Sequence, residues 1–155
     1  MTVAIGSLID LELINQVIDD AVMSWPVSER NKRLSVPVLR YDQQDFRQYR
    51  FLLYKEAGRV VGVAAWDTEN MLVTVNGCGH LLHGLYIAPS YQGRGYGRRL
   101  MEEVFLASEM LGADGLLVKA QKVAVGFFRH CGLTVLPAQD STDYPYMFWY
   151  QRGHI

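Results

Sequence analysis

The sequence predicts a single α/β domain in which a mixed central sheet carries helices on both faces. Apolar residues recur at helical spacing between residues 8 and 25. Strand-like runs separated by glycine-containing turns occupy residues 50–75, which indicates an antiparallel meander. A strand, a glycine-rich turn, a helix and a further strand then fill residues 81–118, and such a βαβ unit has parallel strands.

Composition limits the possible classes of protein. The 155 residues are enough for one domain with a substantial core, and we expect one domain over residues 1–155. The 15 basic and 16 acidic residues nearly balance, so we expect neither nucleic acid nor a membrane as a partner. Cys78 and Cys131 form no metal-type pair and suggest a reducing compartment. With no signal-peptide pattern and no membrane-length apolar run, we expect a cytoplasmic protein without a metal.

The amino-terminal half predicts helices followed by strands. The first helix ends near Pro26, and the mixed segment 27–50 predicts a second short helix. Strands are expected over residues 50–55 and 59–66, joined by a tight turn at Glu56-Ala57-Gly58. A third run over residues 71–75 continues the meander until Asn76-Gly77 turns the chain.

The carboxyl-terminal half predicts the βαβ unit, a short helix and a final aromatic strand. Residues 81–88 form a strand that Pro89 stops, because proline cannot donate to a ladder. A helix with an apolar face follows the glycine-rich turn and ends at Gly112. We then expect a buried strand at 116–118, a short helix at 123–130 ending at Gly132, and an aromatic strand at 146–150.

The turn between the first strand of the βαβ unit and its helix has the chemistry of an anion site. Residues 91–99 are Tyr-Gln-Gly-Arg-Gly-Tyr-Gly-Arg-Arg. Glycines let backbone N–H groups approach a phosphate closely, and the helix dipole adds positive potential. The spacing fits neither G-x-G-x-x-G nor G-x-x-x-x-G-K-[ST]. A tight βα connection is the alternative explanation of the glycines alone.

Two motifs resemble the GNAT superfamily of N-acetyltransferases. Gln92-x-x-Gly95-x-Gly97 resembles the acetyl-CoA signature, and Ala124-x-x-Phe127-Phe128-x-x-x-Gly132-Leu133 resembles the helix and turn after the fifth strand. The resemblance covers about residues 51–150, with 80–133 as the acetyl-CoA-binding core, whereas residues 1–50 match only the layout of the family's variable acceptor side. It implies acetyl transfer from acetyl-CoA to a small-molecule or peptide amine, and a gap between the fourth and fifth strands.

The same resemblance implies which residues contact acetyl-CoA. Pantetheine would lie along Leu85, Tyr86 and Ile87, and the Leu85 N–H would polarise the thioester carbonyl. Gln92 would steady the turn, and the diphosphate would meet the N–H groups of Gly93, Arg94, Gly95, Tyr96 and Gly97. The side chains of Arg94 and Arg98 would add charge, while Arg99 is expected to be solvated. Gln121 and Phe128 complete the expected contacts.

The catalytic residues depart from the family pattern. Leu81 occupies the place of a frequent glutamate, and His83, on the same strand face, is our candidate for the base, with a structural strand histidine as the alternative. His80 points to the other face and is expected to be structural. Phe128 replaces the tyrosine that usually protonates the thiolate. Tyr146 is the first candidate substitute, Tyr144 and Cys131 follow, and water or simple packing of Tyr146 are the alternatives.

Three further questions stay open at the level of sequence. A catalytically weak acyl-CoA sensor is the alternative to an enzyme, and longer acyl groups are not excluded. The aromatic final strand could provide the edge of a homodimer. The aromatic residues that either wall an acceptor pocket or pack in the core are Trp25, Tyr41, Phe46, Tyr49 and Trp66.

Overall fold

The computed structural model describes residues 2–136 and 146–151, which form seven strands and five α-helices. The strands are β1 (Thr2–Ile5), β2 (Tyr49–Glu56), β3 (Arg59–Thr74), β4 (Gly77–Ile87), β5 (Gly115–Ala120), β6 (Thr134–Val135) and β7 (Tyr146–Tyr150). The helices are α1 (Leu11–Met23), α2 (Glu29–Leu39), α3 (Asp45–Gln48), α4 (Tyr96–Met110) and α5 (Val125–His130). None of the helices within these ranges is long and apolar enough to cross a membrane.

All seven strands belong to one mixed sheet, as the sequence predicts. Their order is β1-β2-β3-β4-β5-β7-β6, and every neighbouring pair is antiparallel except β4 and β5. The parallel pairing begins at Gly79–Gly115 and ends at Leu82–Val118. The crossover between these strands is α4, so the predicted βαβ unit is confirmed.

Helices cover both faces of the sheet and bury a separate apolar core on each. On one face, α1 contributes buried residues at helical spacing, Ile14, Val17, Ile18 and Val22, which pack with inward-facing residues of β2 and β3. On the other face, α4 contributes Leu100, Met101, Val104 and Phe105. The two-residue hairpin turn between β2 and β3 has positive φ at both Ala57 and Gly58, a conformation that matches the twist of the strands.

Several elements differ from the sequence-based expectation. The sequence does not predict the short strands β1 and β6. β1 has four residues and β6 has two, which is too short to show a strand periodicity. The run at 71–75 is the end of β3, which continues for 16 residues through an irregular stretch. There the Asp67 carboxylate accepts hydrogen bonds from the N–H groups of Glu69 and Asn70, and the strand resumes without a turn.

Within the described residues the final strand is not at an edge of the sheet, contrary to the expectation that placed a dimer edge there, and homodimer formation itself stays a prediction. β7 lies between two strands, because its residues 146–150 pair with β5 while Phe148 and Trp149 also pair with β6. Most of its backbone is therefore used inside the sheet, and the aromatic content of the strand reflects burial. Phe148 and Trp149 are both buried, on opposite faces.

Two glycines hold β4 and β5 close together just before the strands separate. A Cβ on Gly115 would lie 2.5 Å from Cζ2 of Trp149 and 2.5 Å from the Tyr150 carbonyl oxygen. A Cβ on Gly79 would lie 2.6 Å from the Gly115 carbonyl oxygen. No room exists for a side chain at either position, since the indole of Trp149 covers both.

We predict that Gly115→Ala destabilises the fold through this overpacking. The free energy of unfolding, measured by urea denaturation, should fall by about 1–3 kcal/mol. Gly126→Ala is the matched control, because Gly126 lies in α5 with nothing within 4 Å of the added Cβ. That variant should be neutral or more stable by up to about 1 kcal/mol. Equal stability of the two variants would contradict the packing argument.

Candidate active site

The main cleft of the protein opens where β4 and β5 stop pairing. The parallel ladder ends at Leu82–Val118, although β4 continues to Ile87 and β5 to Ala120. A cleft of about 950 Å³ begins in this gap and extends along both β4 and the start of α4. The predicted separation of the fourth and fifth strands is therefore present.

The backbone of β4 directs hydrogen-bonding groups into this gap. The Ala88 N–H donates to the Val61 carbonyl oxygen at 2.9 Å, and the β3–β4 register then runs without a shift from Ile87 back to Gly84. Because bonding alternates along an antiparallel strand, Gly84 and Tyr86 bond to β3 while the N–H groups of Leu85 and Ile87 face the gap. This arrangement suits both of the roles that the resemblance implies for residues 85–87.

A β-bulge in β4 places His83 on the wall of the cleft. Ala65 pairs with Gly84 and Trp66 pairs with Leu82, so His83 is skipped in the register. As a result His83 and Gly84 both face the side of the sheet covered by α1. The side chain of Leu85 packs instead into the core on the α4 side. Simple alternation predicts the face of His83 correctly but not that of Gly84.

Aromatic side chains hold the imidazole of His83. The Tyr41 hydroxyl lies 2.9 Å from Nδ1, and the ring of Tyr49 stacks on the imidazole with 4.3 Å between centroids. Removal of water by these neighbours lowers the pKa of His83, with Asp45 acting in the opposite direction. The imidazole is therefore neutral near pH 7, and Nε2 is the nitrogen not engaged with Tyr41.

Tyr41 is itself fixed from both ends. Asn15 in α1 makes two hydrogen bonds with the Tyr41 backbone, from Nδ2 to the carbonyl oxygen and from the Tyr41 N–H to Oδ1, both at 2.9 Å. The phenol ring is buried and meets Phe51 edge to face at 4.9 Å. Burial raises the pKa of Tyr41 well above its usual value, so the hydroxyl stays protonated. A Cβ on Gly84 would lie 2.4 Å from this hydroxyl oxygen, which explains the glycine there.

The glycine-rich turn presents open backbone at the start of α4. Gly93 and Gly95 have φ of +77° and +85°, a conformation that side chains disfavour. No atom of residues 2–136 or 146–151 lies within 4 Å of a Cβ built on either residue, so these residues leave the space above the turn free for a ligand. Gln92 donates from Nε2 to the Ile87 carbonyl oxygen at 2.9 Å, which ties the turn to the end of β4.

The first turn of α4 is packed tightly beside this open backbone. A Cβ on Gly97 would lie 3.0 Å from Cζ of Phe127, so this glycine lets α4 and α5 approach each other. The neighbouring Tyr96 is buried, and its ring stacks on that of Tyr54 with 4.4 Å between centroids. The start of the helix is therefore fixed in place, while the two preceding glycines stay exposed to the cleft.

The three arginines of the turn have different surroundings. The Arg94 guanidinium lies 5.1 Å from the centroid of the Tyr91 ring. Arg98 lines the cleft and donates to the Cys131 carbonyl oxygen at 3.5 Å. Arg99 pairs with Glu103 at 3.2 Å on the exposed side of α4, as expected for a solvated charge.

The remaining predicted site residues divide between the cleft and the core. Gln121 and Phe128 line the cleft, as does Cys131, whose thiol pKa is raised by burial. Tyr146 lies opposite Ala120 and packs against the core on the α4 side, and it is not among the cleft-lining residues. Tyr144 falls outside the described residues. His80 is buried and bonded to Ser108, which fits the structural role expected for it.

Two residues near His83 are not predicted from the sequence, and the sequence leaves the roles of the aromatic candidates open. Asn15 and Asp45 gave no signal, because they lie far along the chain from His83 and belong to no recognisable spacing. Among the aromatic candidates, Trp25, Tyr41 and Tyr49 line the cleft. Phe46 stacks on Phe51 and Trp66 is buried in the core, so these two are packing residues.

Comparison with known proteins places this architecture in a family. A sequence profile for the acetyltransferase (GNAT) domain matches residues 47–134. No curated protein sequence matches the chain. Among solved structures, the PaiA N-acetyltransferase from Thermoplasma acidophilum, in complex with coenzyme A, aligns with a TM-score of 0.74 at 16% identity, covering 98% of this chain and 100% of that one.

Two further structures share the fold. A GNAT family acetyltransferase from Brucella melitensis, in complex with acetyl-CoA, aligns with a TM-score of 0.63 at 20% identity, covering 98% of this chain and 89% of that one. An aminoglycoside 6'-N-acetyltransferase from Acinetobacter haemolyticus aligns with a TM-score of 0.64 at 14% identity, covering 92% and 97%. The profile match spans more than half of the sequence, and the protein belongs to the acetyltransferase (GNAT) domain family, a family of acyltransferases.

Proposed function

We propose that this protein transfers an acetyl group from acetyl-CoA to a primary amine, with both substrates bound at once and His83 as the general base. The observation that carries the proposal is the position of His83 beside the gap between β4 and β5. In the tautomer that the proposal requires, the Nδ1–H of His83 donates to the Tyr41 hydroxyl oxygen, so Nε2 is unprotonated and can take a proton from the acceptor. In this division of the chain, residues 80–133 bind acetyl-CoA and residues 1–50 shape the acceptor side.

The residues around the gap fit acetyl-CoA. Gly93 and Gly95 have a left-handed backbone conformation with open space above them, so their N–H groups can bind a diphosphate. Arg98 adds positive charge from within the cleft. The gap-facing backbone of Leu85 and Ile87 suits the amides of pantetheine, and Gln121 adds a polar side chain on the β5 side. Acetyl-CoA supplies the activated acyl carbon.

The chain's own groups would then serve the transfer in three ways. Nε2 of His83 takes one proton from the ammonium, which frees the nitrogen lone pair for the acyl carbon. The N–H of Leu85 stabilises the negative charge that develops on the thioester oxygen. As the new C–N bond forms and the C–S bond breaks, the thiol sulfur takes the second proton. The products are an amide, a thiol and one proton.

Phe128 leaves the departing sulfur without a phenolic donor from α5. A thiol with a pKa of about 8.5 is a tolerable leaving group without an acid, so transfer does not depend on one. A catalytically weak acyl-CoA sensor is the competing proposal. Acceptor-dependent release of thiol separates the two, because a sensor binds acetyl-CoA and releases none with any amine.

Gly95→Ala should weaken acetyl-CoA binding at least about tenfold, or roughly 1.4 kcal/mol, in isothermal titration calorimetry. The reason is that φ of +85° disfavours a Cβ and the new methyl group would block close approach of the diphosphate. Gly112→Ala is the control, since Gly112 has φ of +92° at the far end of α4 and lies outside the cleft. It should suffer the same backbone strain but bind acetyl-CoA normally. Normal binding by folded Gly95→Ala would remove the phosphate role of the turn.

His83→Ala should lower kcat by about 10²–10⁴-fold while acetyl-CoA affinity stays unchanged. In the wild-type enzyme kcat/KM should fall as the pH drops through the pKa of His83, below about 6.5, because the protonated imidazole cannot accept a proton. The His83→Ala variant should not show this fall in kcat/KM at low pH. A variant with the wild-type rate at every pH would place the base elsewhere.

Tyr41→Phe tests whether Tyr41 positions His83. We expect a smaller loss of kcat than in His83→Ala, and no further loss when Tyr41→Phe is added to His83→Ala, since the hydroxyl acts through the imidazole. If the hydroxyl only supports the fold, Tyr41→Phe should lower kcat by the same factor in the wild-type protein and in the His83→Ala variant.

The prediction that Tyr146 protonates the thiolate has its own pair of variants. Tyr146→Phe should lower turnover, and Phe128→Tyr added to it should restore part of the loss, because the new hydroxyl would sit at the cleft wall. Full turnover in Tyr146→Phe would exclude Tyr146 as the donor, in keeping with its position away from that wall, and would leave Tyr144, Cys131 and water as the candidate proton sources.

A further inference from the structure

We propose that the acceptor is a small amine with one positive charge and an apolar or aromatic body, selected by Asp45 and by the aromatic residues Trp25 and Tyr49. This inference rests on the proposed acetyl transfer and specifies its second substrate. It follows from the shape and charge of the cleft on the side of His83 away from the glycine-rich turn.

The wall of the cleft beside His83 is aromatic. Tyr49 stacks on the imidazole, and Trp25, which follows the end of α1, lines the cleft on the same side of the sheet. Tyr41 and Tyr86 also line the cleft on that side. Flat rings next to the base favour contact with an apolar or aromatic group, and their faces attract a cation.

One carboxylate faces this wall. Among the cleft-lining residues in the described ranges, Asp45 is the only acidic side chain. Its Oδ2 accepts the Asp42 N–H at 2.7 Å, and no hydrogen bond to Oδ1 occurs within residues 2–136 and 146–151. Burial is the main cause of the raised pKa of Tyr41, and the charge of Asp45 adds to it. Burial also raises the pKa of Tyr49, with smaller contributions from the charges of Asp67 and Asp45. Burial lowers the pKa of His83, whereas the charges of Asp45 and the buried Asp67 act to raise it. The charge of Asp45 therefore acts on all three rings beside the candidate base.

The nearby cations set an upper limit on the acceptor's charge. Arg40 is paired with Asp19 through both Nε and Nη2, so its charge is largely compensated. Lys119 lines the cleft on β5, is exposed, and acts to lower the pKa of His83. The described residues that line the cleft include no further carboxylate to pair with a second or third ammonium of an acceptor. Lys119 would also repel these additional charges. Unpaired charges are costly to desolvate, so polyamines and aminoglycosides fit poorly.

The test compares amines of different charge and shape in a thiol-release assay with saturating acetyl-CoA. The probes are 2-phenylethylamine, ethylamine, spermidine and tobramycin. We expect kcat/KM for 2-phenylethylamine to exceed that for spermidine and for tobramycin by at least about tenfold, which corresponds to roughly 1.4 kcal/mol of transition-state stabilisation.

Two variants assign the preference to residues. Asp45→Asn should raise KM for 2-phenylethylamine about tenfold while kcat changes by less than about twofold, as expected for lost ground-state attraction. Asp42→Asn removes an equal charge three residues away, outside the cleft-lining set, and the amide oxygen of Asn can still accept from the N–H groups of Gln44 and Asp45. This control should leave KM unchanged. Trp25→Ala should reduce the ratio of kcat/KM for 2-phenylethylamine to that for ethylamine, whereas a residue with no contact to the acceptor would leave this ratio constant.

The outcomes separate the two levels of proposal. Preference for spermidine or tobramycin, or an unchanged KM in Asp45→Asn, would overturn the inference about the acceptor and leave acetyl transfer standing. A second outcome is that the protein binds acetyl-CoA in calorimetry but releases no thiol with these amines or with any member of a wider amine panel. That outcome would overturn the proposed function and this inference together.

Discussion

The end of the β4–β5 ladder is the constraint on which the rest of the site depends. Up to Leu82 and Val118 the two strands satisfy each other's backbone groups, and the glycines at 79 and 115 let them lie close beneath Trp149. Beyond that point β4 keeps its bonds to β3 but directs Leu85 and Ile87 toward open space. Backbone groups in a cleft need hydrogen-bond partners, from water or from a ligand. In the proposed function, the amide groups of pantetheine are the partner of this edge.

The surrounding packing keeps the gap open and fixes what lines it. Two cores, one under α1 and one under α4, support the sheet from opposite faces, so separation of the strands does not expose an apolar interior. Each face then contributes a different part of the site. The α4 side brings the glycine-rich turn and the α5 wall, whereas the α1 side brings the histidine, the aromatic wall and Asp45.

His83, the proposed base, is held in place by distant parts of the chain. Its bulge on β4 turns it toward the α1 side, Tyr49 lies flat against it, and Tyr41 holds Nδ1. Asn15 in turn fixes Tyr41 through two backbone hydrogen bonds. Ordering so many groups in advance reduces the entropy that must be lost when substrates bind. Burial by these neighbours also lowers the pKa of His83, which keeps the imidazole neutral near pH 7.

The sequence by itself determined the features that depend on neighbouring residues. The helical spacing of α1, the hairpin at Ala57-Gly58, the βαβ unit and the glycine-rich turn are local patterns, and each appears in the structure where the pattern predicts it. Tertiary structure alone decided which residues meet across long separations. Asn15, Tyr41, Asp45 and His83 come together only because α1 and the segment before β2 pack on the face that the bulge in β4 exposes. The same is true of β7, whose interior place follows from pairing with β5 and β6 and not from its own residues. Periodicity reports which face of an element is buried, but not what covers it, because that is settled by packing between segments far apart in the chain.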